Sequence, residues 1–345
     1  MKKSLWGKTK EGVDVQLFTL TSGEIEVRLT DFGAHLVSVR TPDRKGKVAD
    51  VVLGFDSLEP YVKGANGYQG AVVGRFANRI AKGQFTIDGT TYQIPVNNGP
   101  NALHGGPVGF DRAVWKAEEV ANGVEFAHVS PDGDMGFPGT LTAKVRYTLA
   151  GTTLRLDYSA TTDKATVLNL TNHSYFNLRG DDDGDILGHV VELSADRYTP
   201  AGSGQIPTGE IATVAGTPLD FRTPQVVGAR INDDFEQLTM ARGYDHNFVV
   251  NGAAGTLRRA ARVSEPERGR TLIVETTEPG VQFYSGNFLN GTVTGRYGKK
   301  YEPRMGLCLE TQVFPDAPNH GNFPNSVLRP GETFKSTTVF TFGVE

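Results

Sequence analysis

Residues 141–160 read LTAKVRYTLAGTTLRLDYSA. Apolar and polar side chains alternate over 141–149 and again over 153–160. Because successive side chains of a β-strand point to opposite faces of the sheet, this alternation is typical of strands with one buried face. Ala150 and Gly151 separate the two runs and predict the turn of an antiparallel hairpin.

Similar short alternating runs recur along the chain. They predict strands at 13–20, 24–29, 34–40, 190–193, 248–251, 271–276, 281–285, 305–313 and 336–342, and a hairpin over 83–94 that turns at Asp88-Gly89. Helical periodicity is scarce and is limited to one short turn at 58–62.

The composition favours the same fold class. The 345 residues include 42 Gly and 18 Pro, which are the poorest helix formers, so a helical bundle or long coiled coil is excluded. Hydrophobic residues make up 38% of the chain, enough for a large core. We therefore predict an all-β protein, a large antiparallel β-sandwich. No linker or shift in composition divides it, so we expect a single domain over residues 1–345.

Charge and cysteine content limit which partners and which cellular compartment we expect for this protein. With 35 basic and 39 acidic residues, the net charge of −4 gives no reason to expect nucleic acid or an anionic membrane as partner. No apolar run reaches the ~20 residues of a membrane helix, and no signal peptide is recognisable. The single cysteine, Cys308, cannot form an intrachain disulfide. We expect a cytoplasmic protein; its oligomeric state stays open.

One predicted strand, residues 167–177, has an unusually polar face. Alternation places on that face Asn169, Thr171, His173, Tyr175 and Asn177. A face with five polar-capable groups and no aliphatic one packs poorly but suits a polyhydroxylated ligand.

A second strand has a lone carboxylate. Glu310 lies in the otherwise uncharged run 307–313, where burial without a partner would be costly. A solvated sheet face is the ordinary alternative. Gln282 alternates with Phe283 in a neighbouring run, and Asp245 precedes another; a surface residue and a turn or strand cap are the ordinary interpretations of these two.

Two loops add candidate ligand contacts. In GRFANRI, residues 74–80, Asn78 or Arg79 could donate to ligand hydroxyls, although a structural salt bridge is an equal alternative. In NALHGG, residues 101–106, His104 precedes two glycines that would let the backbone approach a ligand, or that simply form a turn.

Metal and cofactor motifs are weak or absent. The DDDGD segment at 181–185 lacks the ligand spacing and closing Glu of a calcium loop, so we expect a solvated loop. His104, His173, Asp245 and Glu310 could in principle form a metal site, but no pair has a diagnostic short spacing. No phosphate-binding or dinucleotide-binding loop is recognisable. We expect neither a metal nor a cofactor.

An ordered set of segments resembles the aldose 1-epimerase family, also called galactose mutarotases. The matching segments are 74–80, 101–106, 171–177, 206–210, 244–247, 282–287, 308–312, 322–324 and 328–332. They occur in the family's order and cover nearly the whole chain. The sequence departs from the family at AGSGQ, residues 201–205, where a charged or apolar stretch is more common, and at His320-Gly321, which replaces a Pro-containing loop. The departures leave loop shape and sugar preference open.

The resemblance implies a β-sandwich of the galactose mutarotase type that interconverts the α and β anomers of free hexoses such as galactose and glucose. It implies Glu310 as general base and His173 as general acid. It also implies six sugar-holding residues: Asn78, Arg79, His104, Tyr175, Asp245 and Gln282. With ordinary pKa values of ~4.3 and ~6.5, the carboxylate and the imidazole can both be in the required state near neutrality.

Three other functions remain possible on the sequence. A non-catalytic sugar-binding protein would not need both Glu310 and His173. A hexose-6-phosphate 1-epimerase would need basic groups at the distal end of the sugar, for which Arg75 and Arg79 are available. A glycoside hydrolase would need two carboxylates, which Glu310 and Asp245 could imitate.

Overall fold

The computed structural model describes residues 1–64 and 67–345, and its regular structure is almost entirely β-strand. The strands of the first half are β1 (Lys2–Lys8), β2 (Asp14–Ser22), β3 (Ile25–Thr30), β4 (Leu36–Pro42), β5 (Val48–Asp50), β6 (Val72–Val73), β7 (Arg79–Ile80), β8 (Gln84–Ile87), β9 (Thr90–Gln93), β10 (Ala102–Leu103), β11 (Lys116–Val120), β12 (Gly123–Ser130), β13 (Leu141–Ala150) and β14 (Thr153–Thr162). Those of the second half are β15 (Thr166–Val167), β16 (Thr171–Asn172), β17 (Tyr175–Phe176), β18 (Val190–Leu193), β19 (Arg197–Tyr198), β20 (Ala212–Thr213), β21 (Gln225–Val226), β22 (Asp245–Val249), β23 (Arg258–Ser264), β24 (Arg270–Thr276), β25 (Gly280–Tyr284), β26 (Leu307–Gln312), β27 (Val327–Leu328) and β28 (Phe334–Val344).

Helical structure is short. The α-helices in the described ranges are α1 (Glu59–Lys63) and α2 (Glu236–Ala241). Short 3-10 turns lie at Ala81–Gly83, Phe110–Arg112, Asp134–Gly136, Ser203–Gln205, Val227–Ala229, Arg296–Gly298 and Ala317–Asn319. No helix in the described part of the chain has the length and apolar character needed to cross a membrane.

Three large sheets organise the strands. Their orders are β11-β12-β13-β14-β28-β24-β23-β18-β21, β17-β26-β25-β22-β19-β20 and β1-β2-β3-β4-β5. The ladders of these sheets are antiparallel, which confirms the predicted fold class. The predicted hairpin at 141–160 is confirmed as β13 and β14, paired from Leu141↔Thr162 to Ala150↔Thr153, and the hairpin at Asp88-Gly89 as β8 and β9.

The main apolar core draws on all three large sheets. Leu29 of β3, Val145 of β13 and Phe283 of β25 belong to one buried cluster. In the six-stranded sheet, Phe283 and Leu309 face this cluster. Side chains alternate along a strand, so the other face of the same sheet is free to present polar groups.

The prediction of one continuous strand at 167–177 is wrong. The segment forms three short strands that pair with different partners: β15 with β27, β16 with β6 and β17 with β26. Between them, the Asn172 side chain accepts from the backbone N–H and the hydroxyl of Ser174, at 3.2 and 2.6 Å. Such local side-chain bonds compete with a continuous ladder.

The polar residues of this segment consequently do not share one face. Asn169 donates to the carbonyls of Ala77 and Val313, and Asn177 donates to those of Gly184 and Met305. Both side chains are buried and hold neighbouring backbone in place. Thr171 is also buried.

The expectation of a solvated loop at 181–185 is wrong at its first residue. Asp181 is buried, and Arg296 Nη1 donates to its Oδ2 at 2.9 Å. Arg296 also lies 3.2 Å from Asp50. Asp182 and Asp185 are exposed, as expected.

Candidate active site

The strand register builds a polar surface on the six-stranded sheet. Residues directly opposite each other in an antiparallel pair point to the same face. Glu310 of β26 lies opposite Gln282 of β25, and Cys308 lies opposite both Tyr284 and Tyr175. This register brings together residues that are far apart in the sequence.

A cavity of about 480 Å³ opens over this surface, a size that suits a small ligand. Seven of the eight predicted site residues line it: Asn78, Arg79, His104, His173, Tyr175, Asp245 and Glu310. The polar face that was expected on the strand at 167–177 contributes only His173 and Tyr175.

His173 and Glu310 meet at the base of the site. His173 Nε2 lies 3.7 Å from Glu310 Oε1, and both residues are buried. Glu310 Oε2 is buried without a hydrogen-bond partner among residues 1–64 and 67–345. This oxygen is therefore available to accept a hydrogen bond from a ligand in the cavity.

Burial shifts the pKa values of Glu310 and His173 in opposite directions. Loss of water, and secondarily the charge of Asp245, raises the pKa of Glu310 well above its usual value. Loss of water lowers the pKa of His173 to about 4. The ordinary pKa values assumed from the sequence therefore do not hold, because desolvation favours the uncharged form of each group.

His104 is oriented by a backbone hydrogen bond. The Asn78 N–H donates to His104 Nδ1 at 3.1 Å. Because Nδ1 accepts, the proton of the neutral ring lies on Nε2, which makes that nitrogen a donor. Burial, followed by the neighbouring His173, lowers the pKa of His104 well below its usual value.

The glycines after His104 join two loops, which differs from the expected approach to a ligand. Gly105 has φ +89°, and a Cβ there would lie 2.1 Å from the carbonyl oxygen of Gly74. Only glycine tolerates both conditions. This contact holds residues 101–106 against residues 74–80 and so places His104 beside Asn78.

Gln282 lies behind the cavity instead of lining it, as far as the described residues go. Its Nε2 donates to Asp245 Oδ1 at 2.7 Å, and its Oε1 accepts from Gln312 Nε2 at 3.1 Å. The geometry gives Gln282 the position of a support for Asp245.

Several cavity residues are not predicted from the sequence. The Tyr68 ring packs on His104 and His173, with centroids 4.7 and 5.8 Å apart. Gln205 also lines the cavity, within the segment 201–205 that departs from the family pattern. That departure was the only sequence signal for Gln205, and Tyr68 had none.

Arg75, in contrast, lies away from the cavity. Its guanidinium is buried and donates to the carbonyls of Ser130, Pro138 and Gly139. These bonds assign Arg75 to holding the backbone.

His104, His173 and Glu310 each offer one potential metal ligand, and these atoms lie within 4.8 Å of one another. A metal needs a free lone pair on each imidazole. In His104, Nδ1 already accepts from Asn78, so Nε2 carries the proton. This set is better suited to hydroxyl binding and proton transfer.

Comparisons with known proteins agree on one family. The sequence profile of the family described as "Aldose 1-epimerase" matches residues 16–341. A galactose mutarotase of Bos taurus is 48% identical over 330 residues, which cover 96% of this chain and 94% of the relative. An aldose 1-epimerase of Escherichia coli K12 is 40% identical over 340 residues, 97% of each chain.

Solved structures give the same result. The structure of galactose 1-epimerase from Lactobacillus acidophilus NCFM superposes with a TM-score of 0.86 at 30% identity and covers 100% of this chain and 99% of that one. An aldose epimerase homologue from C. elegans also superposes with a TM-score of 0.86, at 31% identity, and covers 95% of this chain and 98% of its own. The match extends over both sequence and fold, and the chain belongs to the aldose 1-epimerase family.

Proposed function

We propose that this protein is an aldose 1-epimerase that interconverts the α and β anomers of free hexoses such as galactose and glucose. The observation that supports this most strongly is the buried pair His173 and Glu310, 3.7 Å apart at the cavity. The names of the bovine and bacterial relatives agree with this activity.

The reaction needs one base and one acid. The base removes the proton from the C1 hydroxyl while the acid protonates the ring oxygen O5, and the C1–O5 bond breaks to give the open aldehyde. Rotation about C1–C2 turns the other face of the aldehyde to the ring hydroxyl, and ring closure uses the same groups with exchanged roles. In this proposal Glu310 is the base and His173 the acid.

The opposite pKa shifts fit this scheme when the pair is treated as one unit. Between the low pKa of His173 and the high pKa of Glu310, the pair binds one dissociable proton. A carboxylate with an imidazolium differs from the uncharged pair only in the position of that proton. The reacting form therefore needs no proton from solvent at neutral pH.

The remaining cavity residues would hold the sugar while C1 turns. Arg79 and Asn78 offer donors, Asp245 offers acceptors and His104 offers its Nε2–H. Tyr175 lines the same cavity, and its hydroxyl donates to the Gly67 carbonyl at 2.9 Å. Gln282 would act through Asp245.

A phosphorylated sugar is the less favoured substrate. Arg75, one of the two arginines available for a phosphate, is buried away from the cavity and donates from both terminal nitrogens to backbone carbonyls. We also propose a cytoplasmic location for the enzyme.

Polarimetry tests the activity directly. Freshly dissolved α-D-galactose and α-D-glucose should reach their equilibrium rotations faster with the protein than in buffer alone. Prior dialysis of the protein against a strong chelator should leave the rate unchanged, because proton transfer here needs no metal. If the protein did not accelerate mutarotation of either sugar over buffer alone, the proposal would be contradicted.

A further inference from the structure

Gln205 occupies an unusual position in the cavity wall. It ends the short turn Ser203–Gln205, within the segment 201–205 where this sequence departs from its family. Its backbone is in the left-handed region, with φ +57°. The residue lines the cavity.

The Gln205 amide joins two residues of opposite charge. Its Nε2 donates to Asp245 Oδ2 at 2.8 Å, and its Oε1 accepts from Arg79 Nη2 at 2.5 Å. A carboxylate can only accept and a guanidinium can only donate, so these partners fix the orientation of the amide.

This bridge completes the support of both residues. Asp245 accepts a hydrogen bond from Gln282 at Oδ1 and from Gln205 at Oδ2, so each carboxylate oxygen has a donor. Arg79 donates from Nε to Asn98 Oδ1 at 3.0 Å and from Nη2 to Gln205. Among the described residues, no direct ion pair joins Arg79 to Asp245.

We propose that Gln205 is a specificity-determining positioning residue, which keeps Arg79 and Asp245 apart and oriented so that they distinguish aldoses by the configuration of hydroxyls remote from C1. This inference rests on the proposed function, since it requires the sugar to bind in this cavity. In the described chain Gln205 makes no hydrogen bond to Glu310 or His173, so it acts on the sugar through Arg79 and Asp245.

Replacement by an apolar side chain removes both halves of the bridge. In Gln205→Leu, Arg79 Nη2 and Asp245 Oδ2 lose their partner and are free to pair with each other, which withdraws them from the sugar. Loss of two part-buried hydrogen bonds of this kind corresponds to roughly a tenfold change in binding. Gln205→Glu keeps the acceptor for Arg79 but places a second carboxylate beside Asp245.

The experiment measures kcat and KM by polarimetry with α-D-galactose and α-D-glucose for the wild type, Gln205→Leu and Gln205→Glu. Gln225→Leu, which changes a glutamine of β21 outside the cavity, is the matched control. Circular dichroism verifies the fold of each variant. We expect both Gln205 variants to raise KM by roughly tenfold, with kcat within about threefold of wild type, and to change the galactose-to-glucose ratio of kcat/KM by at least about threefold.

Two results would overturn the inference while leaving the enzymatic function intact. One is that the wild type is active and both Gln205 variants have the same kcat and KM as the wild type for both sugars. The other is an equal loss of kcat for both sugars without a change in their ratio, which would indicate a general structural defect. An inactive wild type would overturn the proposed function and this inference together.

Discussion

In the proposed mechanism, Glu310 and His173 act in surroundings that exclude water from both side chains. In water, a carboxylate and an imidazolium would each be solvated, and the reaction would have to strip that water away. In the cavity the two groups lie 3.7 Å apart, and burial favours the uncharged form of each. At neutral pH the pair therefore holds one dissociable proton.

The single dissociable proton of the Glu310–His173 pair predicts an unusual pH dependence of the reaction rate. As pH falls, the pair gains a second proton with the pKa of His173, about 4, and Glu310 can no longer act as a base. We expect kcat/KM, which reports the groups of the free enzyme, to be nearly constant from pH 5 to pH 7 and to fall as pH drops through about 4. Polarimetry corrected for spontaneous mutarotation checks this. An acid limb centred near 6.5, the ordinary imidazole value, would contradict it.

The two histidines of the cavity should differ when they are changed. His173→Asn removes the proposed acid, which would act mainly in the transition state, so kcat should fall by roughly 10² or more with a modest change in KM. His104→Asn removes the proposed contact to a sugar hydroxyl, so KM should rise at least as much as kcat falls. Steady-state kinetics over a range of galactose concentrations, with circular dichroism as the control for folding, compares them. The reverse pattern would mean that the two roles are exchanged.

At the scale of elements, the site depends on the register between strands and on a contact between loops. β26 and β25 align Glu310 with Gln282, which supports Asp245. The loop at 101–106 fits against the loop at 74–80 only because Gly105 has no side chain. Substitutions in these elements should therefore change sugar binding even where the substituted residue does not contact the sugar.

Gly105→Ala tests the loop contact, with Gly89→Ala as the matched control. Both glycines have positive φ, +89° and +79°, but a Cβ at Gly89 meets nothing within 4 Å. Gly89→Ala should lose about 1 kcal/mol of unfolding free energy, and Gly105→Ala about 2 kcal/mol more because of its clash with Gly74. Only Gly105→Ala should raise KM, since His104 moves with the loop. Denaturant unfolding and kinetics measure both effects, and equal losses in the two variants would argue against the loop contact.

The sequence predicts the elements well where a local pattern decides them. The hairpin at 141–160 alternates along both strands, and Asp88-Gly89 is a strong turn signal. The segment 167–177 alternates as well, but the Asn172 side chain breaks its ladder, and alternation alone does not reveal that. Helix α2 has only six residues, too few to establish a periodicity.

The site is predictable from the sequence only in part, for a similar reason. Glu310 is conspicuous as a lone carboxylate in its strand, and the resemblance to the family supplies most of the remaining set. Tyr68 and Gln205 reach the cavity from irregular segments whose path is set by tertiary packing. Gln282 lies on the predicted face of its strand. Its side chain contacts Asp245 and, as far as the described residues go, does not line the cavity.

At the scale of the whole molecule, buried acids tie stability to pH. Burial raises the pKa of Glu278 to about 7 and that of Asp181 to about 7. When the folded pKa of an acid exceeds its unfolded value, the folded state binds more protons between the two values. The contribution of each of these two acids to stability should therefore fall as pH rises from about 4 to 7 and stay low above that range.

Glu278→Gln tests this link. Gln keeps the shape without the buried charge, so the variant should be more stable than the wild type at pH 8, by on the order of 2 kcal/mol, with a much smaller difference at pH 5. The matched control is Glu275→Gln, a half-buried glutamate of β24. Thermal or denaturant unfolding at the two pH values measures the difference. If Glu278→Gln were equally destabilising at both, burial of the charge would not be the cause.

The most direct test of the whole account is polarimetry of Glu310→Gln with freshly dissolved α-D-galactose. Gln has nearly the shape of Glu but cannot accept the C1 proton, so circular dichroism should match the wild type while kcat falls by roughly 10² or more. A folded Glu310→Gln variant that equilibrates the anomers at nearly the wild-type rate would contradict the assignment of Glu310 as the base and with it the proposed mechanism.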